Sequence, residues 1–165
     1  MASAIIKLIN YSFKKAIPLH QNLKKAMNIK SPSSGIVTKI REGKNDLQIT
    51  IKSNLLDSHN QYCPIFGKIK NHYRIPSTRV FIKTEIDSPI GKVSVNQLSL
   101  SNKSKLKSFI GNEMKINTSE RLSRISYGSE TKIKIPKGKV DFSKNIKKGS
   151  KVVGGITDLG FFEYS

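Results

Sequence analysis

Apolar residues along this chain follow two different periods. Near the N-terminus Ile5, Ile9 and Phe13, with Leu8 and Ala16, fall on one face of a helix, and Pro18 ends that pattern. The next stretch, "LHQNLKKAMNI", predicts a second, short helix through Leu23, Met27 and Ile29. "KSPSSG" is a loop. The period then drops to two. "GIVTKIRE" and "LQITIKS" alternate β-branched and polar residues around "GKND", which predicts a hairpin. "PIFGKIKNHY" and "TRVFIKTEI" predict two further strands, divided by a bend at Pro76, a residue that donates nothing to a ladder.

From Ser88 to Gly128 the pattern fades. Ser, Asn and Lys dominate and apolar residues fall irregularly, so this stretch predicts an insertion or linker, ordered only where a partner holds it. "TKIKI" restores the alternation, with Ile133 and Ile135 inward and Lys132 and Lys134 outward. "VDFSKNIKKG" predicts a short helix with Asp141 near its N-cap and Gly149 at its end. "KVVGGITDLGFFEYS" predicts one or two closing strands. The expected fold class is therefore α+β and two-lobed. Residues 1–87 form an N-terminal lobe of two helices on a small antiparallel or mixed sheet. Residues 88–128 are the insertion, and 129–165 a mainly β lobe with a short helix.

Charge changes the picture more than any single motif. The chain has 165 residues, with 30 Lys+Arg against 11 Asp+Glu and a formal net charge of +19. Self-repulsion on that scale disfavours a free compact chain, and a polyanion relieves it. Nucleic acid is the leading partner class and an anionic membrane surface the next. No acid precedes Glu42, and the amphipathic, acid-free N-terminus is similar to a mitochondrial targeting helix.

Candidate chemistry is sparse. Cys63 is the one cysteine, so no intrachain disulfide forms, and with three histidines no zinc-type cluster can be drawn. His20, His59 and His72 are scattered and read as surface or satisfied residues. Asp57, Glu85 and Asp87 form no evident carboxylate pair, and neither a phosphate loop nor a GxGxxG motif occurs. No enzyme, no catalytic residue, no metal and no cofactor are expected. Nor is a membrane span or a small-molecule substrate.

The ordered set of short motifs resembles the eighth small-subunit ribosomal protein family, ribosomal protein S-eight, in its organellar, mitochondrial form. Ile17-Pro18, Leu23-Lys24 and Gly35-Ile36-Val37 stand where that family has the end of the short strand after its first helix, its next helix and the strand that follows. Pro64 to Lys70 and Pro76-Ser77-Thr78-Arg79-Val80-Phe81 match its next two stretches. Thr131 to Ile135, Lys137-Gly138, Asp141 to Lys148 and Gly154-Gly155 follow in family order. The departures are a long insertion and Lys134-Ile135-Pro136 in place of a Ser-Thr-Ser triplet that contacts RNA.

The resemblance implies a structural protein that binds small-subunit rRNA beside neighbouring ribosomal proteins, ribosome-bound in the mitochondrial matrix, with a plastid or other organelle as the alternative. The expected RNA contacts are Lys7, Lys14 and Lys15 on the first helix, and Arg74 and Arg79 flanking Pro76. Lys132, Lys134, Lys137 and Gly138 would follow at the strand and turn, then Lys144, Lys147 and Lys148. Two other readings remain: a basic OB-like ribosomal RNA-binding protein, and a peripheral subunit of an organelle membrane complex anchored through residues 2–17.

Overall fold

The structure, a computed structural model, describes residues 25–55 and 59–164. Among them it has strands and no helix. In chain order the strands are β1 (Lys25–Lys30), β2 (Gly35–Glu42), β3 (Asp46–Ser53), β4 (Asn60–Tyr62), β5 (Gly67–Ile75), β6 (Phe81–Ser88) and β7 (Gly91–Ser99). They continue with β8 (Leu106–Ser108), β9 (Lys115–Ile116), β10 (Arg121–Ile125), β11 (Ser129–Pro136), β12 (Asp141–Phe142), β13 (Lys151–Val152) and β14 (Asp158–Tyr164).

Eight of these strands form one antiparallel sheet in the order β13-β2-β3-β11-β7-β6-β5-β9. The hairpin expected at 35–53 supplies β2 and β3. It starts at Gly35, whose φ is +147° and where a Cβ would lie 2.3 Å from the Lys52 carbonyl oxygen, so only glycine fits. β11 lies between β3 and β7, and β7 pairs with β6 on its other side. The large sheet thus crosses the expected boundaries at residues 87/88 and 128/129.

Two small sheets, β1-β14-β12 and β4-β10-β8, cover the inner face of the large one. Under the first lies the main apolar core. It joins Ile29 of β1 and Leu159 and Phe162 of β14 to Ile49, Ile51, Val93, Val95, Ile133 and Ile135 of the large sheet. Under the second lie two smaller clusters. One holds Cys63, Ile69, Ile86, Ile116 and Leu122, and the other Val80, Ile82 and Ile125.

Between these clusters the inner face turns polar. Along β11 the buried residues run Ile135, Ile133, Thr131, Ser129, and along β7 they run Val93, Val95, Gln97, Ser99. Ser129 pairs with Ser99 and with Ser53 of β3. Gln61 and Ser123 close this seam from the small sheet above. The Ser123 hydroxyl lies 3.1 Å from Gln97 Oε1 and 3.2 Å from Gln61 Oε1, and Gln97 Nε2 donates to Ser129 Oγ at 3.2 Å. Buried amides need such partners, because an unmade hydrogen bond there costs roughly 1–3 kcal/mol.

Four sequence expectations are corrected by the structure. The α+β class gives way to an all-strand fold among the described residues. The first expected helix, with Lys7, Lys14 and Lys15, lies outside those residues, but the second is replaced in part by β1. There Ile29 is fully buried while Ala26 and Asn28 are exposed, a period of two. The short helix at 141–148 is replaced by β12 followed by turns. Pairing with β14 takes Phe142 into a strand, and Ile146 reaches the core from the turns that follow it. The expected insertion is itself structure: it contains β7 to β10, and its buried polar positions hid the alternation.

Cys63 is fully buried and its thiol donates to the Ile65 carbonyl at 2.9 Å. Burial pushes this thiol up to about 12. The thiolate is the reactive form, so iodoacetamide at pH 8 should leave Cys63 unmodified in the native protein and alkylate it once denaturant unfolds the chain. Modification at equal rates in both states would contradict this packing.

Candidate functional site

The β10–β11 hairpin organises one end of the molecule. Tyr127 and Gly128 follow β10 with φ of 62° and 70°, two successive left-handed residues that turn the chain into β11. A Cβ at Gly128 would meet Leu100 Cδ1 at 3.1 Å and the Ser53 carbonyl oxygen at 3.2 Å. That close approach brings three chain segments together. Asn54, Leu55, Leu100, Ser101, Tyr127 and Gly128 line an open cleft of ≈ 380 Å³. Leu55, Leu100 and Tyr127 expose apolar surface there, at 66%, 38% and 53%. Exposed apolar groups gathered in this way mark a contact surface.

A basic groove adjoins the cleft. Ser126, one residue before Tyr127, lines it together with Lys105, Leu106, Lys107 and Arg124, with a volume of ≈ 240 Å³. Strand pairing fixes the cations: Arg124 lies opposite Lys107, and Ser126 binds Lys105 through both its hydroxyl and its amide. No carboxylate among the described residues pairs with Lys105, Lys107 or Arg124. Lys107 and Arg121 instead sit over the Phe109 ring, at 5.4 and 5.1 Å from its centroid.

His59 stands beside both. Its carbonyl accepts from the Ile125 amide at 3.2 Å, and its Nε2 lies 3.3 Å from the carbonyl of Leu55, a residue of the cleft. A carbonyl only accepts, so Nε2 carries the hydrogen. That leaves Nδ1 buried and without a partner among the described residues.

The residues singled out in sequence are placed differently. Lys132 pairs with Glu130 at 3.2 Å, Lys134 with Asp46 at 3.1 Å and Lys137 with Glu42 at 2.6 Å. The Lys137 pair holds the Glu42 carboxyl below its ordinary range, through the hydrogen bond first and the charge second. These three lysines point outward but already have anions beside them. Gly138 has open space around its Cα and makes no close backbone approach. Arg74 and Arg79 are exposed on either side of the β5–β6 bend, and Lys144, Lys147 and Lys148 are exposed in the loop between β12 and β13. None of these residues lines the cleft or the groove at the hairpin. Sequence reasoning passed over Lys105, Lys107 and Arg124, which lay in the expected insertion, and read His59 as satisfied.

No helix among the described residues is long and apolar enough to cross a membrane. No curated protein and no solved structure matches the chain significantly. The family model described as phosphatidylserine decarboxylase matches residues 7–160. This match overturns the resemblance to ribosomal protein S-eight and, with it, rRNA and ribosomal proteins as partners and a part in translation. The short motifs that carried the resemblance are common strand and turn signatures of any basic β protein. The match also replaces the expectation of no enzyme, since the family is one of decarboxylases. The expectation of no small-molecule substrate gives way to a lipid one. The mitochondrion is compatible with that family, whereas a ribosome-bound place in the matrix falls with the rRNA. A match spanning nearly the whole length is membership: the chain belongs to the phosphatidylserine decarboxylase family.

Proposed function

We propose that this chain acts on the serine headgroup of phosphatidylserine at the surface of an anionic membrane, the mitochondrial membrane being its expected place. The observation that carries the reading is the junction at the β10–β11 hairpin. There an apolar cleft meets a basic groove with no carboxylate paired to its cations among the described residues, beside an imidazole nitrogen that has no partner among them. A phospholipid offers the complement of each part. Its acyl region suits Leu55, Leu100 and Tyr127, and its phosphate and carboxylate suit Lys105, Lys107 and Arg124.

Loss of CO2 from the serine headgroup leaves an electron pair on the carbon that bore the carboxylate. An electron sink conjugated with the amine has to receive that pair. What this chain's own residues supply is binding, orientation and a proton. The cations hold the phosphate at the rim, and the apolar cleft keeps the acyl chains out of water. His59, with Nε2–H tied to the Leu55 carbonyl, offers Nδ1 as the atom through which a proton reaches the ethanolamine headgroup.

The test uses mixed vesicles containing phosphatidylserine labelled in its serine carboxylate. Labelled CO2 should be released. His59→Gln should lower the rate by about 10²–10⁴-fold, the usual contribution of a positioned acid or base, with vesicle binding unchanged. Tight vesicle binding without any CO2 release by the unaltered protein would overturn the proposal.

A further inference from the structure

A second polar cluster lies where the β4-β10-β8 sheet covers β5 and β6, and the decarboxylation reading makes no use of it. His72 of β5 pairs across the ladder with Thr84 of β6, a residue with no exposed surface. The His72 ring reaches from the large sheet to the small one. Its Nδ1 lies 3.0 Å from Thr84 Oγ1, and its Nε2 lies 3.0 Å from Ser108 Oγ on β8. The His72 backbone is held as well, its amide donating to Asn112 Oδ1 at 2.7 Å. Ser108 itself is exposed. A hydroxyl open to solvent, an imidazole within hydrogen-bond reach of it, and a buried third group on the other ring nitrogen make up the arrangement of an activated serine.

We propose that Ser108 is a nucleophile toward carboxylic esters, with His72 as its base and Thr84 as the positioning residue. The neutral ring donates from Nδ1 to Thr84 Oγ1 and accepts the Ser108 hydrogen at Nε2. Burial holds His72 below the ordinary histidine range, so the ring is neutral at pH 7 and its lone pair is available. Ser108 Oγ attacks the ester carbonyl as its proton passes to Nε2. The leaving alcohol takes that proton as the C–O bond breaks, and an acyl group remains on Ser108. Water then attacks the acyl carbon, again giving its proton to Nε2, and the proton returns to Ser108 as the acid departs. Thr84 supplies no negative charge to offset the imidazolium, so the site suits activated esters over amides.

The experiment labels the whole protein with an alkyl fluorophosphonate, in which Ser108 Oγ displaces fluoride from phosphorus, and maps the modified peptides by mass spectrometry over time. Ser108 should be modified at least about 10²-fold faster than Ser101 of the same molecule, the factor expected of a positioned base. His72→Gln should remove that advantage. Thr84→Val should lower the Ser108 rate and Thr84→Ser should restore it, a rescue that packing alone does not produce. Labelling of Ser108 no faster than Ser101 in the unaltered protein overturns the proposal, whatever the variants do to folding. An unchanged Ser108 rate in a folded His72→Gln protein overturns it as well.

Discussion

Replacing residues 90–126 with a short Gly/Ser linker should abolish cooperative folding. The segment contributes β7, which stands between β6 and β11 in the large sheet and is hydrogen-bonded to both. Without β7 the β5–β6 hairpin has no ladder to β11, and β4 loses its partner β10. Ile90, Val93, Val95, Ile116, Leu122 and Ile125 leave the core with the segment. At about 1.5–3 kcal/mol for each buried side chain, that loss is on the order of 10 kcal/mol. A domain of this size has roughly 5–15 kcal/mol of stability in all. The variant should therefore show no thermal transition by circular dichroism and no dispersed amide spectrum. A sharp transition near that of the unaltered chain would mean that the remaining strands form a core of their own.

The same segment shows where sequence reading stops. Alternation predicted β2, β3 and β11 because every second residue there contrasts an apolar inward position with a polar outward one, as with Ile133 and Ile135 against Lys132 and Lys134. β7 keeps the same geometry, yet its inward residues change from Val93 and Val95 to Gln97 and Ser99. A pattern test scores the last two as solvent-facing, although both are fully buried in the polar seam. What satisfies Gln97 comes from far along the chain: its side chain meets Ser123 and Ser129. The helix expected through Leu23 and Met27 failed differently. Spacing of four suits a helix, but Met27 and Ile29 also suit a strand, and the pairing with β14 near the other end of the chain decided it.

The candidate site was hidden for a related reason. Lysine density is visible in a sequence, whereas neutralisation is not. Lys134 and Lys137 lie in the most basic stretch, yet Asp46 at the start of β3 and Glu42 at the end of β2, some ninety residues earlier, fold beside them. Lys105, Lys107 and Arg124 stand in a less conspicuous stretch, and no carboxylate among the described residues pairs with them. His72 and Ser108 are likewise brought together only by the packing of two sheets. His59 gave no signal at all, because an unpartnered ring nitrogen is a property of surroundings and not of spacing.

That contrast between paired and unpaired cations gives the second large expected effect. Lys105→Gln, Lys107→Gln and Arg124→Gln together should weaken binding to vesicles rich in phosphatidylserine by on the order of 10²-fold at low salt. A basic side chain near an anionic bilayer is worth about 1 kcal/mol, and three of them sum to about 3 kcal/mol, each 1.4 kcal/mol being tenfold. The apolar cleft should retain part of the binding, and that part should be insensitive to salt, since screening acts on the charges alone. The matched control is Lys132→Gln, Lys134→Gln and Lys137→Gln, which removes the same formal charge from positions already beside Glu130, Asp46 and Glu42. This control should bind within a few-fold of the unaltered protein, because two of the three carboxylates it frees, Asp46 and Glu42, lie at the far end of β11 from the hairpin turn. Co-sedimentation across a salt series measures both variants on the same vesicles. Equal losses in the two would mean that net charge alone governs attachment and that the hairpin site has no special part in it. A loss confined to the control would move the membrane face to the other end of the β11 strand.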